Sequence, residues 1–358
     1  MRIESLKLKN FRNYTEATFS FTDGLNVLYG KNAQGKTNCA EAVFYLCTGI
    51  SLRQCKDRQM IQFTMPMATI EARANTVYGN IHLVAKITEN SRELYINNNK
   101  IRRNVDLLGN LKGIFFSPKE LRLVQDGPEE RRRFLNLSIS QISKSYYTAL
   151  MRYNKILEQR NALLKSKDNQ LIYETLSVWD IQLASFATEI VQRREEYIQV
   201  LLPLARERQA YLTDGREKLH LELECKGYNK EQLVKLQEIF AANIEKDIRL
   251  GYTSIGPHRD DLKITINDED ARLYASQGQT RTIALALKLA EVNVFKEIAG
   301  EKPILVLDDV MSELDLTRRR KLIAQLEGLQ VILTCTHAEK VLFGKKVNKI
   351  KIVDGQIK

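Results

Sequence analysis

The chain has 358 residues, 44% of them hydrophobic, which provides for about two ordinary domains with real cores and argues against a disordered chain. Its formal net charge of +11 favours an anionic partner such as nucleic acid, although solvated Lys and Arg would give the same sum. No run reaches the ~18 apolar residues of a membrane span, no apolar segment follows Met1-Arg2-Ile3-Glu4, and the five cysteines include no C-x-x-C pair; secretion, membrane contact, a disulfide framework and a zinc site are therefore disfavoured, and a cytoplasmic location is expected.

Residues 1–29 alternate in the strand period, with Ile3, Leu6, Leu8 and Phe11 followed by Ala17, Phe19 and Phe21, and predict a hairpin that leads through Thr22-Asp23-Gly24 into a short buried strand, Leu25-Asn26-Val27-Leu28-Tyr29. Next comes Gly30-Lys31-Asn32-Ala33-Gln34-Gly35-Lys36-Thr37, which fits G-x-x-x-x-G-K-[ST] at every fixed position, and then a predicted helix over 38–46. Gly30 and Gly35 let the backbone of Lys31, Asn32, Ala33 and Gln34 form a nest of N–H donors around phosphate oxygens. Lys36 supplies a point charge to the outer phosphates, the Thr37 hydroxyl is a Mg²⁺ ligand, and the helix points its positive end at the anion. ATP and Mg²⁺ are the expected cofactors.

Strand patterns return at 68–72, 80–85 and 94–96, with turn signals at Tyr78-Gly79-Asn80 and Asn97-Asn98-Asn99, predicting an antiparallel meander. After Phe115-Phe116-Ser117-Pro118 the period becomes helical through 119–250, with Trp179 inside and breaks expected at Leu202-Pro203, Asp214-Gly215 and Lys226-Gly227. These helices are too few for a long coiled-coil arm. Residues 262–266 predict a further strand, and a long apolar-periodic helix begins near Gly278 and ends at Gly300.

Ile304-Leu305-Val306-Leu307-Asp308-Asp309 reads as a fully buried strand delivering two acids at its carboxyl end, where open α/β sheets bind ligands. Asp308 is expected to hold Mg²⁺ opposite Thr37, and Asp309 to orient or deprotonate an attacking water, with Lys36 and Asp309 as the catalytic pair. Ser276-Gln277-Gly278-Gln279 opens the long helix with a hydroxyl, a glycine amide and a helix N-terminus, a second anion site. About thirty residues before the acidic strand, it resembles the signature motif of ABC-type ATPases, which faces the phosphate loop of another subunit. Ser312-Glu313-Leu314-Asp315 resembles their D-loop. Ser276, Gly278, Gln279 and Asp315 are thereby implied as nucleotide contacts across a dimer. His337 follows the strand 331–334 two or three residues later than the phosphate-contacting histidine of that superfamily, so a contact and a surface turn both stay open. Ser117-Pro118 occupies the place of the usual inter-lobe glutamine, with Gln125 later.

Several segments together resemble the RecF family, recombination-mediator ATPases built like truncated SMC heads. They are Leu8-Lys9-Asn10-Phe11-Arg12-Asn13-Tyr14, Gly24-Leu25-Asn26-Val27, Phe116-Ser117-Pro118, Gly127-Pro128, Arg131-Arg132-Arg133-Phe134-Leu135, Gly256-Pro257-His258-Arg259-Asp260-Asp261 and the paired Asp308-Asp309. Asn136 stands where the family usually has an acid, and residues 49–58 match only loosely, which weakens any carried-over DNA role for Arg53, Lys56 or Arg58.

The resemblance implies an α/β fold: an ABC-type, SMC-head-like P-loop ATPase lobe with antiparallel strands, residues 1–114 and 300–358, and an inserted mainly helical lobe, 115–299, carrying the signature. It also implies an ATP-dependent homodimer, DNA binding with little sequence preference, weak DNA-stimulated ATP hydrolysis used as a switch, work with RecR and RecO in gap repair and replication restart, and SOS induction. Basic candidates for the DNA contact are Lys100, Arg102 and Arg103, then Arg131 to Arg133, then Lys345, Lys346, Lys349 and Lys351. A transporter's nucleotide-binding subunit and a small-molecule kinase would share the phosphate loop. The strand-rich N-terminal lobe and the basic charge argue against the first.

Overall fold

The computed structural model describes residues 1–166, 169–338 and 347–358. Its strands, in chain order, are β1 (Arg2–Phe11), β2 (Tyr14–Ser20), β3 (Leu25–Tyr29), β4 (Met67–Thr76), β5 (Gly79–Thr88), β6 (Arg92–Ile96), β7 (Asn99–Ile101), β8 (Gly113–Phe116), β9 (Leu219–Glu224), β10 (Asp261–Ile266), β11 (Glu269–Asp270), β12 (Ile304–Asp308), β13 (Val331–Cys335), β14 (Asn348–Val353) and β15 (Gln356–Ile357).

Two six-stranded sheets enclose the phosphate-loop helix, Lys36–Thr48. One is the antiparallel sheet β2-β1-β4-β5-β6-β7, as the hairpin and meander signals predict; the other runs β15-β14-β3-β13-β12-β8, parallel apart from β15. The helix is buried on all sides after its first turn, which is why its apolar residues show no stripe. Ile3, Leu6, Leu8, Ile70, Ala72 and Leu83 cover it from the first sheet, and Val306, Ile332 and Ile350 from the second. Alternate residues of the same parallel strands, Val27, Leu305, Leu307 and Leu333, point the other way into the core of the helical lobe. Both faces being covered accounts for the continuous apolar run in β12.

The helical lobe is built from Pro128–Ile142, Lys144–Leu164, Asn169–Thr213 and the long helix Gln277–Ala299, with a three-stranded sheet β11-β10-β9. Two expectations are corrected here. The helix Asn169–Thr213 runs through Pro203 instead of breaking. A proline inside a helix costs about 3 kcal/mol, and burial of Ile198, Leu201 and Ala205 on either side outweighs that loss. Residues 219–224 form β9, an unpredicted strand whose Leu219, Leu221 and Leu223 alternate into the core against β10. The breaks at Asp214-Gly215 and Gly227 occur, each with a positive φ.

The two segments 131–135 and 256–261, separated widely in sequence, meet. Arg131 is buried and clasps Asp261 through two hydrogen bonds of 2.6 and 2.8 Å, and Arg132 donates to the Asp260 carbonyl at 2.8 Å. Asp260 in turn accepts from Tyr228 at 2.6 Å, and Arg194 donates to the Pro257 carbonyl at 2.7 Å. Asn136 replaces the expected acid without losing its function as an acceptor: its Oδ1 takes hydrogen bonds from Tyr146 at 2.6 Å and Arg194 at 3.0 Å.

His258 sits in the same junction. Its Nε2–H donates to the Thr253 carbonyl at 3.0 Å, leaving Nδ1 to accept from the Tyr153 hydroxyl at 2.6 Å, an arrangement that needs a neutral ring. Burial lowers its pKa to about 4 from the ordinary 6.5. The unfolded chain therefore binds the extra proton first as pH falls, and stability should be lost between pH 6.5 and 4, up to about 3 kcal/mol. Urea midpoints across this window for the parent and His258→Gln check it; the same acid slope in both would contradict the assignment.

Candidate nucleotide site

The phosphate loop is shaped by its two glycines and braced by distant residues. Gly30 has φ 154°, and a Cβ there would lie 2.3 Å from the Ile352 carbonyl oxygen of β14. Gly35 has φ 115° and faces Asn13 and the Tyr14 hydroxyl at 2.8 Å from its would-be Cβ. Tyr14 Oη donates to the Gly35 carbonyl at 2.8 Å and Asn13 Nδ2 to the Gln34 carbonyl at 3.0 Å. From the C-terminal hairpin, the Gly355 amide donates to the Gln34 carbonyl at 3.1 Å and the Asp354 amide to Gln34 Oε1 at 2.6 Å. The loop is thus clamped between the β1–β2 turn and the β14–β15 turn, while Lys31, Asn32 and Ala33 stay exposed at its rim.

Gly35→Ala should push the loop off these braces. A strained left-handed residue costs about 1–3 kcal/mol, so ATP affinity is expected to fall on the order of 10- to 100-fold with the fold retained. Equilibrium ATP binding alongside a melting curve checks this, and parental affinity would show that the loop absorbs the methyl group.

Lys36 Nζ lies 2.7 Å from the carbonyl oxygens of both Gly30 and Lys31, and its burial lowers its pKa against the raising influence of Asp309 and Asp308. Thr37 Oγ1 donates to Asp308 Oδ1 at 3.0 Å. Thr334 Oγ1, at the end of β13, donates to the same oxygen at 2.6 Å. Asp308 is buried, and burial raises its pKa in spite of these hydrogen bonds. A buried carboxylate fed by two hydroxyls beside a lysine suits a hard divalent cation, which Thr37 and Asp308 could hold.

Asp309 is exposed and left-handed, φ 54°, with its amide fixed on the Thr334 hydroxyl at 3.1 Å. Its conformation turns the carboxylate away from the sheet into a cleft of about 560 Å³ shared with Thr37, Asp308, Arg53, Ser117 and Pro118. Ser117-Pro118 therefore stands at the cleft, and Gln125 is not among the cleft residues. On the other side of the loop a cavity of about 610 Å³ is bordered by Gly30, Lys31, His337, Lys349 and Lys351. His337 is exposed there, with Nδ1 3.0 Å from Thr336 Oγ1.

The second group of expected residues lies elsewhere. Ser276 caps the long helix, its Oγ accepting from the Gln279 amide at 3.2 Å while Gln279 Oε1 accepts from the Ser276 amide at 2.9 Å. Asp315 caps the helix Leu316–Gln325 and pairs with Arg318 at 2.9 Å; hydrogen bonding from the Arg318 amide holds its pKa down. Arg318 also reaches within 3.7 Å of the position a Cβ would take on Gly278, and Arg281 pairs with Glu313 at 2.8 Å, so the signature-like and D-loop-like segments form one exposed surface. Among the described residues no hydrogen bond or ion pair joins this surface to residues 30–37.

Sequence reasoning missed the bracing residues Asn13, Tyr14 and Gly355 as parts of the site. The hairpin turn at Asp354-Gly355, between β14 and β15, formed no part of the sequence reading. Of the basic candidates, Arg131 is internal and is withdrawn; Lys100 pairs with Glu93, Arg103 with Asp106 at 3.0 Å, and Arg133 with Glu130 at 3.4 Å. Lys349 and Lys351 border the loop-side cavity, Arg102 is exposed, and Lys345 and Lys346 lie outside the described residues.

Residues 2–358 match the family model of the RecF/RecN/SMC N-terminal domain. A protein of Lachnoclostridium phytofermentans named DNA replication and repair protein RecF is 40% identical over 361 residues, covering 100% of this chain and 99% of that one. The chain belongs to the RecF family. A second RecF, from Ruminiclostridium cellulolyticum, is 37% identical and again covers 100% of this chain and 99% of its own. Among solved structures, RecF with ATP, described as the recombination mediator of the RecFOR pathway, superposes with a TM-score of 0.90 at 32% identity, over 99% of this chain and 96% of that one. An SMC head bound to the C-terminal winged-helix domain of ScpA shares the fold, TM-score 0.61 at 16% identity, over 100% of this chain and 96% of that one. The α/β architecture expected from the sequence is thereby shown, and the RecF assignment replaces the transporter and kinase alternatives. Among the described residues no helix is long and apolar enough to cross a membrane.

Proposed function

We propose that this chain is an ATP-gated DNA clamp of recombinational repair and replication restart, in which ATP joins two copies on DNA and slow hydrolysis releases them. The observation that carries the reading is the division of the expected nucleotide contacts into two surfaces of one chain. Lys36, Thr37, Asp308 and Asp309 converge at one, and Ser276, Gly278, Gln279 and Asp315 are gathered at the other. A C₂ dimer that brings the first surface of each copy to the second surface of its partner completes two sites at once.

In such a dimer the amides of residues 30–37 and Lys36 hold the phosphates, and the open N-terminal turn at Ser276 meets the terminal one. Mg²⁺, held by Thr37 and Asp308, would offset charge on the phosphate oxygens. Asp309, exposed and free to face the cleft, accepts the proton of the attacking water. It is one methylene shorter than a glutamate, and a small displacement of a catalytic group costs on the order of 100-fold in rate, which suits a slow switch. Binding of ATP as a permissive signal, DNA contacts through Lys and Arg, cytoplasmic residence, SOS induction, and work with RecR and RecO belong to the same proposal. The division into an ATP-binding lobe, 1–114 and 300–358, and a helical lobe, 115–299, is kept as its working frame, with β8 pairing across that boundary to β12.

Size and DNA affinity measured with ATP, ADP and a non-hydrolysable analogue, at two salt concentrations, test it. A dimer and tight, salt-sensitive DNA binding are expected with ATP and the analogue only. A monomer that ignores DNA in the presence of bound ATP would refute it.

A further inference from the structure

At the end of the antiparallel sheet, next to the β1–β2 turn, the loop 61–67 carries an apolar tip that no described residue covers. Phe63 is 92% exposed, with Met65 at 41% and Met67 at 38% beside it. Thr64 has φ 70°, a left-handed conformation that a branched side chain rarely adopts. The projection is nevertheless fixed at its base. The Arg12 amide donates to the Met60 carbonyl and the Gln62 amide to the Asn10 carbonyl, both at 2.8 Å, and the Met65 amide closes a turn on Gln62 at 3.0 Å. Asn10 Nδ2 reaches the Met67 carbonyl at 3.3 Å.

The chain segment that carries this tip holds two unpaired cations. Between Ala42 and Ile70 the sole acid is Asp57, and it is taken by Arg92 at 3.3 Å and the Tyr45 hydroxyl at 2.9 Å. Lys56 and Arg58 are exposed and carry no ion pair among the described residues. A purely apolar partner would desolvate these two cations without compensation. A nucleic acid offers both halves of the match, phosphates for the cations and a base face for the ring.

We propose that the loop 61–67 is a DNA contact in which Phe63 stacks on an unpaired base while Lys56 and Arg58 hold the adjoining phosphates. The left-handed residue Thr64 follows directly on the exposed ring at the tip of the loop. The inference rests on the DNA-binding reading above and adds to it the structural feature of DNA that the clamp senses. A fully stacked duplex presents no free base face, so the contact discriminates by base exposure and not by sequence.

The test uses the full-length protein with ATP and Mg²⁺ and two DNAs of equal length, one fully paired and one with a central unpaired tract. Phe63→Ser is expected to weaken binding to the unpaired tract about 10-fold. Its affinity for paired DNA and its salt slope should stay as in the parent. The double variant Lys56→Gln, Arg58→Gln should weaken both DNAs and reduce the magnitude of the salt slope by about two. Equal affinities of Phe63→Ser and the parent for the unpaired tract would overturn the proposal, as would loss of ATP-dependent dimer size in that variant, which would assign the tip to a second copy. A parent that binds neither DNA would instead sink the DNA-binding reading itself.

Discussion

Asp309→Asn is expected to lower ATP hydrolysis by about 100-fold or more while leaving ATP-driven dimerisation intact, since a positioned general base contributes 10²–10⁴ in rate. The separation follows from geometry. Asp309 is exposed at the cleft and accepts no side-chain hydrogen bond among the described residues, whereas Asp308, one residue earlier, is buried and takes both Thr37 and Thr334. The amide keeps the shape and the left-handed backbone, in which Asn is at least as comfortable as Asp. Steady-state phosphate release and sedimentation with ATP read the two effects separately. Unchanged turnover would remove Asp309 from the mechanism. Asp308→Asn makes the contrasting case: it alters the pair expected to hold Mg²⁺, and should weaken Mg²⁺-dependent ATP binding itself.

The second large effect is on stability. Arg160 is fully buried in the helical lobe, donating to Asp180 at 2.8 Å, to Asp247 at 2.7 Å and to Thr253 at 2.9 Å. It thus ties the helix Lys144–Leu164 to the helix Asn169–Thr213 and to the helix Ile244–Leu250. Arg160→Met leaves two buried carboxylates without their cation, and such a loss costs about 3–5 kcal/mol. Burial already raises the pKa of Asp180 against the influence of Arg160, so this acid has little tolerance for further isolation. Adding Asp180→Leu to Arg160→Met should recover part of the loss, because an apolar replacement removes one of the stranded charges. Urea denaturation of the three proteins measures it. A loss below 1 kcal/mol for the single variant would show that water enters and screens the site.

What the sequence disclosed and what it withheld divide along range of interaction. The strand, loop and helix around Gly30 to Thr37 are local: each residue's job depends on neighbours within a few positions, and the pattern is legible. The run before Asp308-Asp309 is similarly local, because burial on both faces demands apolar residues at every position. The clamp on the loop was hidden, since Tyr14 and Gly355 reach it only after the two sheets close around the helix Lys36–Thr48. Arg131 followed two glutamates in sequence and took neither; its partner, Asp261, lies 130 residues away. Pro203 misled because helix propensity is a weak prior once a helix is packed along its length. The strand β9 had its alternating leucines in view, but helical periodicity on both sides masked a six-residue signal.

The central claim, that each nucleotide site takes its phosphate loop from one copy and its signature-like segment from another, is tested most directly by mixing two inactive variants. Lys36→Ala disables the first surface and Ser276→Arg the second, and each alone should show background hydrolysis. In an equal mixture half of the dimers are mixed, each with one intact site of two, so activity should return to about a quarter of the parental rate if the sites act independently. A mixture no more active than the mean of its two components would contradict the account.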